Sequence, residues 1–572
     1  MALFSPGIEA KEHDFSTTIS SGPSSLAGTV GYFKQGPANT RINITSEDEL
    51  VNYFGKPDND TAQSFFTAAN FLKYSSSVTV VRALSSSAIN AYVQIPGSTG
   101  ADANLIINED AYETGDPESF EYMGIRAKSP GTFGNDIVVT LCDGFNHPTD
   151  EELNGTLAVA AVGNTAGVDA VDAVEGLASL WNSLPIKPSA DEIAVFVTSP
   201  DGTVERYIGN TNSGHKDFAG NSDFIDNIIN KNSSVIYMNT KDLSFDVDLG
   251  QPSSDVHNYL TLPLANGIDG NLTKGSWTDA WDQYLEEGVL VNLLIGGATA
   301  DLATEADHVH VQKHIMDEIA EKRKDCFALL SPHKNTVVGK LAGTAVTDMV
   351  TFRDSLGSSS YAAIDGNFKF QYDKYNDINR WVNLSGDVAG CCVVTDNEKD
   401  PWWSPAGLER GQIKGVIKLA YNPKETHRDT LYLSQINPVV SFPGDGVVLW
   451  GDKTMQSVAS AFDRINVRRL FLVVESAVEL FAKPLPFNFN DSYVRTDFTA
   501  SVSSFLEGIK VKRGIIDFMV LCDESNNTDQ VIDNNQFVAS VFIRPSKSIN
   551  FITLNFVATK GGVSFSELFG AI

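Results

Sequence analysis

The sequence predicts a multidomain chain that mixes α+β and α/β parts, and three observations predict it. The chain has 572 residues, and at roughly 100–200 residues per domain this length calls for about three to five domains. Helical and strand patterns alternate between 275 and 450, the signature of an α/β layer arrangement. Between about 86 and 250 that alternation gives way to short β-type runs separated by Gly, Asn and Asp, which predicts a mostly β insertion. The expected organisation is an N-terminal arm over 1–22 and an α/β segment over 23–85. A mostly β insertion over 86–255 and an α/β middle domain over 256–450 follow. A C-terminal core domain over 451–547 and a closing strand or arm over 548–572 complete it.

Each element has its own reason. Residues 1–22 carry Ser, Gly, Pro and charges between the isolated apolar residues Phe4, Ile8, Phe15 and Ile19. So sparse a pattern cannot build a core and reads as an extended arm. GTVGYF (28–33) and TRINIT (40–45) are expected strands. SEDELVNYFG follows, with Ser46 and Glu49 at capping-box spacing and Gly55 and Pro57 as the stop. A second helix places Phe65, Phe66, Ala69 and Leu72 on one face, and VTVVRAL (78–84) closes the unit as a strand. In the insertion, EIAVFVTS and SVIYM read as strands, and 157–177 is an Ala/Val/Gly-rich stretch of low complexity. Beyond it, a helix near 277–287 precedes VLVNLLI and a helix over 304–323 precedes CFALLSP. Helices around 455–482 and 491–507 then lead to the strands GIIDFMVL, QFVASVFI and INFITLNFVA. The last alternates Ile552, Leu554 and Phe556 with Phe551, Thr553 and Asn555, one face apolar and the other mixed.

Composition excludes several functions. With 42 Lys+Arg against 72 Asp+Glu the net charge is -30, which repels phosphate backbones and anionic membrane surfaces. No basic patch offsets it, so direct nucleic-acid binding is not expected. The most apolar run, 288–298, is about half the roughly 20 residues of a spanning helix, so no membrane insertion is expected. MALFSPGIEAKEHDF lacks the pattern of a secretory signal. The five cysteines are odd in number and have no C-x-x-C spacing, which reads as reduced, mostly buried thiols of a protein made in a cytosol.

The motifs that suggest chemistry each fail on a detail. Gly446-Val-Val-Leu-Trp-Gly451-Asp452-Lys453-Thr454 nearly spells a phosphate loop. Asp452, however, separates the second glycine from the lysine and brings a carboxylate where phosphate would sit. His310 and His314 have the four-residue spacing of helix-borne metal ligands, but His308 lies on another side and no H-E-x-x-H glutamate accompanies them. DESNNTDQVID (523–533) lacks the sixth-position glycine and the terminal glutamate of a calcium loop, so an Asn/Asp-rich turn is expected. No G-x-S-x-G or G-x-G-x-x-G motif is present. The expectation is therefore no catalytic residue, no metal and no cofactor. Trp402 and Trp403, adjacent in KDPWWSPAG, suit either a core edge or an interface.

Several blocks in one order then carry a family likeness. GTVGYFKQGP, ITSEDELVNYFG and VTVVRAL open it, and AKSPGTFGNDIVV looks like a "PG-x-x-GN" segment. SSSYAAIDGNFKFQYDKYNDINRW and PWWSPAGLERGQIKGVIKLA follow in the middle. QINPVVSFPGDGVVLWGDKT, FDRINVRRLFLVVESAVE, CDESNNTDQVID and INFITLNFVAT close the chain. The whole resembles the tail sheath proteins of contractile-tailed bacteriophages (myoviruses), of the larger multidomain type, with 145–250 matched weakly.

That resemblance implies a structural, non-enzymatic subunit of the virion, made in the host cytoplasm. N- and C-terminal segments would form the sheath core. Copies would stack helically around the tail tube protein, bounded by baseplate and tail terminator or neck proteins, and contract to drive the tube through the host envelope. It also implies that the near-phosphate loop and the Asn/Asp-rich loop are structural. Terminal arms would add strands to a neighbour's sheet, which makes Phe4, Ile8, Phe15, Ile19, Phe551, Ile552, Leu554 and Phe556 the expected subunit-interface residues. The alternatives are a sheath of a phage-derived injection particle, with the same mechanics, and an α/β enzyme resting on 275–400 alone.

Overall fold

The computed structural model describes residues 24–94, 105–114, 124–144, 177–239, 259–286 and 288–550. Contacts divide them into two compact units. One lies within Ser21–Pro401 and Pro405–Leu480, the other within Trp402–Ser404 and Phe481–Ile572.

The larger unit is organised by a seven-stranded sheet. Its strands are β1 (Ala27–Gly31), β2 (Arg41–Ile44) and β3 (Val78–Arg82), and, after an insertion that holds the next seven strands, β11 (Leu293–Ile295), β12 (Phe327–Leu330), β13 (Ala362–Asp365) and β17 (Ile436–Asn437). β14 (Phe368–Asp373), β15 (Ile378–Asn383) and β16 (Lys418–Leu419) make a separate three-stranded sheet. The order is β17-β13-β12-β11-β1-β3-β2. All neighbours are parallel except β2 on β3. Successive side chains feed two separate cores. Val30, Leu294, Ala328, Leu330 and Ile364 face one, while Ala27, Val80, Leu293, Ile295, Phe327 and Leu329 face the other. Helices on both faces supply the rest: Trp277, Val311, Met349 and Leu431 on the first, and Leu50, Phe65, Val388 and Leu472 on the second. A parallel sheet covered on both sides explains why its strands are continuous apolar runs rather than alternations.

Helix details differ from the sequence reading in instructive ways. The helix Ala62–Leu72 is buried from Ala62 through Phe71. It is not amphipathic, because it lies between the sheet and the helix Ser385–Glu398. At Glu47–Phe54, Ser46 accepts from the Glu49 N–H, but Glu49 reaches back to Thr45 (N–H 2.7 Å, Oγ1 2.6 Å) instead of Ser46, so only half the capping box forms. The expected 304–323 helix is Glu305–Lys313, a π-turn over His314–Ala320, and Glu321–Arg323. The helix expected from 455 begins only at Ile465. Before it, Thr454 Oγ1 donates to Phe462 O (2.7 Å) and folds the chain back.

The insertion is built of β4 (Asn90–Gln94), β5 (Gly124–Pro130), β6 (Val138–Asp143), β7 (Glu192–Thr198), β8 (Val204–Asn210), β9 (Ile236–Asn239) and β10 (Tyr259–Pro263). They pair antiparallel as β4-β5-β9 and β10-β6-β7-β8. Ile125, Ala127, Val139, Val195, Val197 and Met238 form its core with Ile225 and Ile229 of a short helix.

The segment Pro130-Gly131-Thr132-Phe133-Gly134-Asn135 joins insertion to sheet. Gly131 has φ +112°, and a Cβ there would meet Asp269. Asp269 itself accepts from the Thr132 N–H (2.9 Å) and Oγ1 (2.7 Å). Gly134 lies too close to Ala127 and Ala91 for a side chain, and Asn135 exchanges hydrogen bonds with the Gly267 backbone (3.0 and 2.7 Å). Arg82, at the end of β3 and fully buried, donates to Phe33 O (2.7 Å), Gly36 O (2.7 Å) and Pro130 O (2.8 Å). Burial brings it down to about 10.

The smaller unit consists of the helix Ser492–Val511, β20 (Ile515–Leu521), the short helix Asp529–Asp533 and β21 (Ser540–Pro545). Asp491 caps the long helix by accepting from Val494 N–H (2.9 Å). Phe498, Val502, Leu506, Ile509 and Ile515 are among its buried apolar residues. Trp402 packs into this unit, its indole N–H donating to Lys512 O (3.3 Å). Trp402 thus takes the core-edge alternative, and Trp403 faces the Arg513 guanidinium at 5.5 Å.

Candidate assembly site

In open α/β sheets ligands bind beyond the carboxyl ends of the parallel strands. Here those ends are filled by the chain itself. After β11, the Gly296-Gly297 turn would be a natural anion cradle, but Ser385 Oγ takes the Gly297 N–H (3.0 Å) and Gln312 donates to Gly296 O (2.6 Å). Ser385 is held by Asn383 Oδ1 (2.8 Å), and Asn383 donates to Thr67 Oγ1 (2.7 Å) and Gln63 Oε1 (3.2 Å). After β12, Ser331 donates to Asp365, which closes β13. His308, fully buried, lies against Thr299 Oγ1 (2.9 Å) and Ser331 O (3.0 Å). A carbonyl only accepts, so Nε2 carries the proton, and burial disfavours a second proton on Nδ1 beside Thr299. Burial holds His308 down at about 3 and pushes the Asp365 carboxyl up to about 7.

The decoy motifs resolve the same way. Gly446–Leu449 is a strand, β19, pairing antiparallel with β18 (Val439–Phe442). Lys453 donates from Nζ to Tyr432 O (2.7 Å), and its backbone is clasped by Asn437 (2.8 Å each way). Asp452 is buried, with Tyr432 OH at 3.1 Å and Arg464 at 3.6 Å. Of the three histidines, His308 is in the core and His314 pairs with Asp282 (2.7 Å), so they do not converge. In the Asn/Asp-rich loop, the buried Asn527 donates to Val538 O (2.7 Å) and accepts from Val538 N–H (2.9 Å), stitching the turn to the approach of β21. All five cysteines are buried, and none is joined in a disulfide.

Sequence reasoning missed two buried ion pairs. Lys369 and Asp387 are both fully buried, Nζ lying 2.7 and 2.9 Å from the carboxylate oxygens. Tyr74 OH donates to the same carboxylate (3.0 Å), and Lys369 also reaches Lys414 O (3.1 Å). Burial lowers Lys369 although Asp387 opposes the shift. Arg469 and Asp396 pair at 2.6 Å. Here burial acts against the guanidinium's charge, but Asp396 beside it raises Arg469 overall. The available signals were Lys369 between Phe368 and Phe370, and Asp387 inside SGDVAGCCVV.

An open surface is found in the smaller unit. Among the described residues β20 and β21 pair only with each other, in register Phe518↔Ile543, Met519↔Phe542, Val520↔Val541, with a bulge at Ile516. Such a hairpin is marginal alone, and no other described strand takes up the backbone donors and acceptors along its two edges. The face away from the helix carries the cross-strand pair Met519 (54% exposed) and Phe542 (53%). The residues expected to make subunit contacts, Phe4, Ile8, Phe15, Ile19, Phe551, Ile552, Leu554 and Phe556, all lie outside the described residues.

A covered α/β sheet with its strand ends occupied by its own side chains, an antiparallel β insertion and a C-terminal helix-and-hairpin unit define a mixed fold of several sheets. Comparison with known proteins gives the family. Three family patterns match in order: "Tail sheath protein Gp18 domain III N-terminal region" over 24–83, "Phage tail sheath protein central domain" over 270–455 and "Phage tail sheath C-terminal domain" over 457–559. Tail sheath proteins of Vibrio phage KVP40 and Enterobacteria phage T4 are 35% and 34% identical, each over 100% of both chains. The fold is similar to a sheath tail protein from Listeria innocua (TM-score 0.52, 12% identity, 93% of this chain and 97% of that one). It is also similar to the helical sheath of the anti-feeding prophage (TM-score 0.52, 11% identity, 98% and 100%). The chain belongs to the tail sheath proteins of contractile-tailed bacteriophages, structural components of the virion.

Proposed function

We propose that copies of this chain polymerise helically around the tail tube and contract, driving the tube through the host envelope for genome delivery. The observation that carries this reading is the β20/β21 hairpin, whose two edges no other described strand pairs and which carries an exposed apolar pair. Strands donated by a second copy would complete it by backbone pairing, with alternate side chains in pockets. Residues 4–19, through Phe4, Ile8, Phe15 and Ile19, and the closing strand, through Phe551, Ile552, Leu554 and Phe556, are the proposed donors. A head-to-tail contact of this kind grows into an open helix rather than a closed dimer.

The tube protein, baseplate and tail terminator or neck proteins are the proposed partners, and the host cytoplasm the site of synthesis. The proposed division of labour is arms at 1–22 and 548–572, an insertion at 86–255, a middle domain at 256–450 joined by 23–85, and a C-terminal core at 451–547. No catalysis and no cofactor enter this reading. The self-filled strand ends support that. The sheath of a phage-derived injection particle is the second reading, favoured by the likeness of fold to the anti-feeding prophage sheath.

The test is polymerisation of chains lacking 1–20 or 548–572. Loss of tubes with a folded, soluble subunit is expected, with Leu554→Pro acting like the C-terminal deletion and Leu554→Val nearly silent. Ordinary tubes from both deletions refute strand donation.

A further inference from the structure

The first residue described after the proposed N-terminal arm is Ser24, and it is held in an unusual way. Its hydroxyl donates to Asp396 Oδ2 (2.9 Å) and its carbonyl accepts from Arg469 Nη2 (3.3 Å). Arg469 and Asp396 are themselves joined at 2.6 Å, with side chains only 3% and 5% exposed. Two residues on, Leu26 O accepts from both Asn292 N–H (2.8 Å) and Leu293 N–H (3.0 Å). β1 then begins at Ala27, in mid-sheet between β11 and β3.

The pair is poorly explained as a source of stability. Buried ion pairs break even at best against apolar side chains of similar volume, and only with their remaining hydrogen bonds made. Here Arg469 Nη1 and Asp396 Oδ1 have no hydrogen-bonding partner among the described residues. Apolar packing does not hold Ser24 either, because a small cavity opens beside it, lined by Asn292, Arg469, Leu472 and Ser476. What such a pair does provide is direction, since each of its two charges grips a different atom of one backbone residue.

We propose that Arg469 and Asp396 are positioning residues, an anchor that fixes where the N-terminal arm leaves the body and passes tension on it into the middle of the sheet. This rests on the arm reading of 1–22. In a lattice whose subunits move while staying tied, an arm rooted loosely would let the tie pay out before force reached the fold.

The test exploits the indifference of stability to such pairs. The double variant Arg469→Met/Asp396→Leu removes both charges without stranding either, so the subunit folds with its melting temperature kept or raised. Ser24→Ala is the milder companion, leaving the pair intact. A nitroxide on Ser20→Cys reports the root, selectively because the native thiols are buried. Tube growth by light scattering reports assembly.

The expected result is a label visibly more mobile in the double variant, amides 24–27 exchanging at least about tenfold faster, and tubes growing at least about tenfold more slowly, the loss of one charge-assisted tie. Ser24→Ala should shift all three in the same direction by less. Unchanged label mobility and exchange in the folded double variant overturn the anchor. A loosened root with normal tube growth overturns its role in assembly. The chain lacking 1–20, measured alongside, separates these from failure of the arm reading, which alone predicts that this deletion stops growth.

Discussion

Asp365→Asn is expected to change how the stability of the subunit depends on pH, and the size of the change follows from the site. The Asp365 carboxyl is fully buried at the end of β13, accepting from Ser331 Oγ and the Asn367 N–H. Burial moves it from 3.8 to about 7. Between those values the folded chain binds more protons than the unfolded one, so stability falls as pH rises and levels off above about 7. Three units correspond to about 4 kcal/mol. His308 works in the opposite sense. Its ring stays neutral when folded, so stability is lost as pH falls from 6.5 towards about 3, by about 5 kcal/mol at full titration. In the wild type the two slopes oppose each other between about 4 and 6.5 and largely cancel.

Asparagine keeps an acceptor oxygen for the Asn367 N–H, turns an amide N–H towards the Ser331 hydroxyl in place of the second oxygen, and does not titrate. Asp365→Asn should be the more stable chain at pH 8, by up to about 4 kcal/mol, with the advantage gone by about pH 4. Its profile on the acid side should show the uncompensated His308 slope. His308→Gln should show the reverse. The assay is urea unfolding of the monomeric subunit by tryptophan fluorescence from pH 4 to 8. Superimposable profiles for wild type and Asp365→Asn refute the reasoning, because the carboxyl would then be solvated and the strand ends open rather than filled.

Three further outcomes are expected. Lys369→Met alone strands the Asp387 carboxylate in the core and should cost about 3–5 kcal/mol by urea unfolding, and Lys369→Met/Asp387→Leu should recover most of it. Arg82→Met leaves the carbonyls of Phe33, Gly36 and Pro130 without their donor, and should cost about 2–4 kcal/mol with faster hydrogen exchange at 130–136. Subunits carrying a net charge of -30 repel over roughly 8 Å at physiological ionic strength. Tube growth should therefore quicken as salt rises, and a monotonic slowing would mean that attractive ion pairs dominate the contacts.

What the sequence made legible was what local pattern controls. The alternation between 275 and 450 gave the α/β layer, and the Gly/Asn-punctuated runs at 192–198 and 236–239 became β7 and β9. Pairing between distant segments was not legible. Nothing in AGTVG says that it lies beside Leu293–Ile295 rather than at an edge, because parallel strands bond without a local turn to set their register. Burial on two sides was equally hidden. Ala62–Leu72 was read as one-faced from its phenylalanines, yet Gln63, Thr67 and Asn70 are buried as well. The polar filling of the strand ends was missed for the same reason. Gln63, His308, Asn383 and Ser385 are unremarkable along the chain and meet only when the sheet closes. The arms were inferred from sparse apolar residues and from family likeness, and their residues lie outside the described part of the chain.

The central claim, a subunit that polymerises through strands it donates, is tested most directly by electron microscopy of the purified full-length chain beside the chain lacking 1–20. The account predicts long hollow tubes of regular helical repeat from the first and dispersed, folded subunits from the second. Tubes from both, or monomers and closed dimers from the full-length chain across all salt concentrations, would contradict it.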